Sequence, residues 1–167
     1  MHTTAEATDV VELILRDHRR MEELFRALRN VQADRAGALQ EFAALLVAHA
    51  TAEESEVYPA MRRDRNVDNE DVEHSVHEHT EGHEALLALL EVQDTTSKEW
   101  DEKLEELVTA VNHHADEEER TLLNDARESI TLERRAELGM AFEAARAKQL
   151  AADCGNLENL RRLVDAR

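Results

Sequence analysis

Seven residues of this chain combine metal-ligand chemistry with helical spacing: His18, His49, Glu53, His79, His83, His114 and Glu118. Imidazole nitrogens and carboxylate oxygens together form a donor set that divalent transition metals accept. His49 and Glu53, His79 and His83, and His114 and Glu118 are each separated by four positions, which stacks both members of a pair on one helix face. Every one of these groups stands where an apolar residue belongs. His18 falls in line between Ile14 and Phe25, His49 and Glu53 between Leu46 and Val57, His79 and His83 between Val76 and Leu86, and His114 and Glu118 between Val111 and Leu122. A single interior histidine is usually a core residue with an ordinary hydrogen-bond partner, so the weight lies on the joint pattern. Burying such groups unpaired costs several kcal/mol each. Four helices that do so together need a shared compensation, and one or two bound cations supply it.

An internal repeat supports this reading. His-Ala-Thr-Ala-Glu-Glu from His49 matches His-Ala-Asp-Glu-Glu-Glu from His114. Asp-Val-Val-Glu from Asp9 resembles Glu-Asp-Val-Glu from Glu70, a register that sets His18 on His79 and Glu22 on His83. The two halves read as copies of one helix pair, and a two-fold-related bundle builds a two-metal site naturally. Glu22 reads as a solvated charge, and Glu54 and Glu119 as exposed neighbours of the chosen glutamates. His74, His77 and His113 fit the stripes less well and are expected at the surface or behind the ligands, while His2 is set aside as terminal.

The elements that must position these groups are helices. Ala, Leu, Glu and Arg dominate a chain of 167 residues with four glycines and one proline, a composition that favours helix throughout. Apolar periodicity predicts a first helix from Asp9 to Arg29, opened by an Asp9…Glu12 capping box. A second runs from Ala38 to Arg63, kinked or ended by Pro59. After a polar connection from Asp64 to Asn69, a third runs from Glu70 to Val92. A fourth runs from Lys98 to Glu128, capped by Thr96…Glu99. The short turns within each pair make an up-down antiparallel four-helix bundle over residues 1–130. Residues 131–167 form a C-terminal extension of one or two helices packed on the bundle, the first carrying Leu132, Leu138 and Phe142, the second following a break at Gly155. At about 1.5 Å per residue, His18 and His83 lie roughly 20 Å from their interhelix turns and His49, His79 and His114 roughly 25 Å. The ligands therefore gather in one band of the core.

A formal net charge of −18 argues against nucleic acid and anionic membrane as partners, because phosphates repel such a surface. Cys154 is the only cysteine, so an internal disulfide and Cys-based zinc or iron–sulfur sites are excluded. Met1 to Val10 lacks the apolar run of a secretory signal, no stretch approaches the roughly 20 apolar residues of a bilayer span, and the cytoplasm is the expected location. A ferritin-like carboxylate enzyme would need Glu-x-x-His pairs, whereas this chain offers histidine-first pairs at four-residue spacing.

Over residues 9 to 129 the chain resembles the hemerythrin-like (HHE cation-binding) family. The resemblance rests on Asp17-His18, His49-x-x-x-Glu53 followed by Tyr58-Pro59, His79-x-x-x-His83, and His114 followed by Glu118-Glu119. It implies two non-haem iron ions, oxo-bridged, held by five histidines and two carboxylates. Glu53 is one of these; the other is Glu118 by the stripe and the repeat, or Glu119 by the family's five-residue spacing after the histidine. It further implies dioxygen or hydrogen peroxide as the molecule handled, through reversible binding, sensing or catalase-like decomposition. An iron-handling or iron-sensing protein without redox turnover is the alternative, and an interaction module with the metal as a structural staple is a third. Manganese or zinc could replace iron in an N/O ligand set. Tyr58 is a candidate donor behind the ligands, or a core residue. The chain is expected as a monomer or homodimer.

Overall fold

Helix-forming residues run almost unbroken from Val10, and the chain turns where capping residues permit. The computed structural model describes residues 8–65 and 69–166; His2 and the middle of the Asp64–Asn69 connection lie outside them. Helix α1 spans Val10–Arg29, with Asp9 accepting from the Val11 amide at 3.0 Å. Glu12 does not close the expected capping box, because its carboxylate takes the Arg127 guanidinium at 2.9 Å, a charge-assisted bond stronger than one to an amide. Helix α2 spans Arg35–Ala52 and starts before the expected Ala38, since Asp34 caps it through the Gly37 amide at 2.9 Å.

The second helix neither ends nor restarts at Pro59. A π-helical turn, Glu53–Val57, follows α2, and α3, Tyr58–Arg65, carries on through the proline. Pro59 has no N–H, and in an α-helix its ring would press on the Ser55 carbonyl. The wider turn, closed by the Tyr58 amide donating to the Glu53 carbonyl, absorbs that misfit. Helix α4 spans Asn69–Leu90, α5 Lys98–Arg120 and α6 Leu122–Ser129. The α5 cap is Ser97, which accepts from the Trp100 amide at 3.1 Å, and not Thr96, whose hydroxyl is taken by Asp94 at 2.6 Å. The fourth helix breaks at Thr121 instead of running on to Glu128; the Thr121 hydroxyl donates back to the Glu117 carbonyl at 2.8 Å, a bond that bends helices. The extension forms α7, Leu132–Ala151, and α8, Leu157–Asp165. Among the described residues there is no strand, and no helix is long and apolar enough to cross a membrane.

The helices pack as antiparallel pairs, α1 with α2 and α4 with α5. Helix α7 lies across α1, α2 and the π turn, and α8 lies on α4. The apolar core is split in two. One part, with Phe25, Leu28, Phe42, Leu86, Trp100 and Leu104, fills the end near the interhelix turns. The other, with Val11, Ile14, Val57, Met61, Leu122 and Phe142, fills the opposite end. The buried polar groups His18, His49, Glu53, His79, His83, His114 and Glu118 form the layer between them.

Gly155 marks the α7–α8 turn as expected, for a reason of close approach. A Cβ there would lie 2.4 Å from the Ala44 amide nitrogen and 2.7 Å from the Ala43 carbonyl carbon on α2. Backbone cannot yield as a side-chain tip can. Gly155→Ala is expected to lower stability by about 1–3 kcal/mol, read as a lower urea midpoint. An unchanged midpoint would show that the α7–α8 turn is not seated on α2 in this way.

Candidate metal centre

The polar layer resolves into two groups of ligand atoms. Glu53, His79, His114 and Glu118 each offer one atom within 4.8 Å of the others, and so do His18, His49 and Glu118. The carboxylates tie the groups together. Glu53 Oε1 lies 2.9 Å from His49 Nε2 and 3.2 Å from His79 Nε2. Glu118 lies 3.3 Å from His18 Nε2 and 3.7 Å from His114 Nε2. Each carboxylate thus spans one histidine from each half of the chain, in the two-fold arrangement that the repeat implies.

These contacts are close, yet they leave hydrogen bonding unsatisfied. Nε2 of His18, His49 and His114, both oxygens of Glu53, and Oε1 of Glu118 are buried without a hydrogen bond. Orphaned buried polar atoms of this kind are rare and costly. Here they converge, and imidazole nitrogens and carboxylate oxygens at this spacing fit one or two divalent cations.

The outward-facing ring nitrogens are held from behind. His49 Nδ1 donates to Asp17 at 2.9 Å, His114 Nδ1 to Glu78 at 3.1 Å, and His18 Nδ1 to Glu119 at 3.2 Å. Glu54 stands 3.8 Å from His79 Nδ1. A carboxylate acceptor fixes the proton on Nδ1 and turns the Nε2 lone pair inward, the arrangement that orients histidine toward a metal. Asp17 is gripped in turn by Arg146 of α7, through two bonds of 2.9 Å. Phe142, one turn earlier on α7, meets the His49 ring edge-on with centroids 5.6 Å apart.

Of the predicted residues, His18, His49, Glu53, His79, His114 and Glu118 are brought together. Glu119 is not in either group: its half-exposed carboxylate sits on the outer nitrogen of His18. His83 is buried, but its ring also stands outside both groups, on the wall of a small cavity beside them. Three supports were not singled out from the sequence as parts of the centre. Asp17 and Glu78 are equivalent in the repeat register, and each immediately precedes a ligand histidine, which was the available signal. Arg146 lies in the extension and gave none.

Tyr58 is part of the site and not merely of the core. Its hydroxyl donates a very short hydrogen bond to Glu118 and lies 3.5 Å from His79 Nε2. Five residues of α-helix turn through about 500°, which would point Tyr58 away from Glu53. The π turn brings the two closer to one face, as such turns often do at functional sites. Burial, and then the Glu118 and Glu53 charges, push the phenol well above its ordinary range. Its repeat equivalent is Leu123, so the two halves differ here.

A cation-binding helical bundle is the class of protein that this fold and this ligand layer define. Residues 9–126 match the model of the hemerythrin HHE cation binding domain, and the chain belongs to that family. Neither a curated protein nor a solved structure matches the chain.

The protonation of the metal-free centre predicts its pH dependence. Burial pushes the His18 and His79 imidazoles down, but the facing carboxylates outweigh it: Glu118 and Glu119 hold His18 up at about 9, and Glu53 and Glu54 hold His79 up at about 9. The stability from these raised values is complete below the ordinary histidine value of 6.5 and is lost as pH rises through the folded value. The depressed Glu53, held down by His49 and His79 against its burial, acts oppositely: its contribution is present above the ordinary value of 4.5 and is lost as pH falls. Chelated protein should therefore show a thermal midpoint that drops between about pH 6.5 and 9. Metal-loaded protein should not, because the metal replaces those protons. A flat profile for the metal-free chain would contradict this protonation pattern. Asp17→Asn should weaken metal retention about 10- to 100-fold in a chelator-competition assay.

Proposed function

We propose that this protein holds two non-haem iron ions and handles dioxygen or hydrogen peroxide at them. The observation that carries the reading is the cavity of about 20 Å³ beside the ligand layer. It is bounded by the ligand histidines on one side and by Met21, Leu46, Gly82 and Val111 on the other. One water-sized centre needs about 10–15 Å³, so the space suits a molecule of one or two heavy atoms. Its apolar wall offers nothing to bind a larger polar substrate. Gly82 adds no side chain to that wall, and a Cβ there would only reach ordinary contact with Val111 at 3.9 Å.

His18 and His49 would hold one ion and His79 and His114 the other, with Glu53 and Glu118 as the carboxylate ligands. When bound, the irons supply the electrons that a two-atom oxygen molecule exchanges. The chain does the rest. Asp17 and Glu78 fix the orientation of His49 and His114, and Tyr58 keeps its proton on the Glu118 side. The two apolar half-cores exclude water from either end. His83 lines the cavity, and as the fifth histidine of the predicted set it would complete an ion's shell or hold a proton on the guest molecule.

Purified protein is expected to carry about two irons per chain and to release dioxygen when peroxide is added. The His49→Ala, His114→Ala double variant should lose both iron and oxygen release. Full iron content in that variant would sink the reading of the ligands. Stable iron with no reaction toward dioxygen or peroxide would sink the reading of the chemistry, and labile iron with no turnover would point to iron handling. In His83→Gln, lost iron marks His83 as a ligand; retained iron with oxygen release at least about 10-fold slower marks it as a proton holder.

A further inference from the structure

The repeat makes the surroundings of Asp17 and Glu78 directly comparable, and they differ in one respect. Both carboxylates accept from the outer nitrogen of a ligand histidine. Both are buried themselves. Asp17 has a fixed cation on its far side, the Arg146 guanidinium supplied by α7. Helix α7 packs on α1 and α2, and among the described residues no arginine or lysine pairs with Glu78 as Arg146 pairs with Asp17. On the far side of Glu78 the chain places two imidazoles and a second carboxylate instead. His113 Nε2 lies 3.2 Å from Glu78 Oε2, and His74 Nε2 lies 3.6 Å from the same oxygen. Glu117 reaches both rings, at 2.8 Å from His74 and 3.5 Å from His113. Among the described residues, every ion pair of Glu78 and Glu117 is with a histidine.

We propose that His74, Glu78, His113 and Glu117 form a third, solvent-accessible site for a divalent transition-metal cation. The donor set is the one such ions select, two imidazoles with two carboxylates. His74, Glu78 and Glu117 already hold one ligand atom each within 4.8 Å of one another. The rings of His74 and His113 are more than half exposed, so an ion reaches them without opening the bundle. An acidic groove with Glu81, Glu102, Glu105 and Glu106 on its walls extends along α4 and α5 to His113, and raises the local concentration of cations. An ion at this seat would stand to Glu78 and His114 as Arg146 stands to Asp17 and His49. The difference is that it comes and goes.

The test is a Zn2+ titration of the full chain as purified, with iron counted before and after. Wild-type protein is expected to bind one Zn2+ equivalent more than the His74→Ala, His113→Ala double variant, with no change in iron. The difference between the two proteins is the measured quantity, so it holds whatever the inner centre contains and does not depend on the reading proposed for it. Glu117→Gln should weaken binding of that equivalent about 10-fold or more. His77→Ala, which removes a neighbouring exposed imidazole paired with Glu81, should leave it intact. Equal Zn2+ binding by wild type and the double variant would overturn the proposal, as would zinc uptake matched by equal loss of iron.

Discussion

The structure depends on the cost of burying ionisable groups in the middle of a helical bundle. Six ligand side chains and their supports occupy a layer that would otherwise be the centre of the core, and the apolar residues are divided into two clusters on either side of it. Apart from the Tyr58 hydroxyl, the clusters offer no hydrogen bonds to the layer, so its members must satisfy one another or a shared guest. They come close, at 2.9 to 3.7 Å, but Nε2 of His18, His49 and His114, both oxygens of Glu53 and one of Glu118 stay without hydrogen bonds. The outward nitrogens of His18, His49 and His114, by contrast, each have a carboxylate partner. That division of labour directs every free lone pair to one place, and the family's cation is what the place fits.

The two-fold repeat supplies the symmetry of the ligands, and the C-terminal helices break it. His18 and His79, His49 and His114, Glu53 and Glu118, Asp17 and Glu78 correspond pairwise. Arg146 and Phe142 act on the His49 side alone. Tyr58 acts beside Glu118 and His79, where the other half has Leu123 in the apolar cluster. The two groups of ligand atoms are therefore similar in donors and unequal in surroundings, and the exposed rings of His74 and His113 stand behind Glu78 where Arg146 stands behind Asp17.

Much of this was legible in the sequence because periodicity carries it. Side chains that interrupt an apolar stripe at four-residue spacing identify buried polar groups without any knowledge of the partner helix. The stripe and the repeat both pointed to Glu118, and the structure places that carboxylate in both ligand groups, with Glu119 one position round the helix on the outer side of His18. Periodicity fails where the helix itself is irregular. The π turn ahead of Pro59 shifts every later residue by one, which is how Tyr58 enters the site from a position assigned chiefly to packing. The break at Thr121 comes from a side-chain hydroxyl bonding its own backbone, a local event that apolar spacing does not register. Arg146 was invisible for a different reason: its partner is 129 positions away, and nothing in an exposed-looking arginine on a later helix announces a contact across the fold.

The match to the family ends at residue 126, but the electrostatic surroundings of the centre do not. Helix α7 begins after that boundary and contributes the guanidinium that neutralises the carboxylate behind His49. The inherited unit and the working unit are thus of different size. In dielectric terms, the C-terminal helices are part of the solvent that the His18–His49 side of the ligand layer experiences, a wall built from protein instead of water. A bundle excised at the edge of its family domain would keep its ligands and exchange that wall for bulk water on one side only.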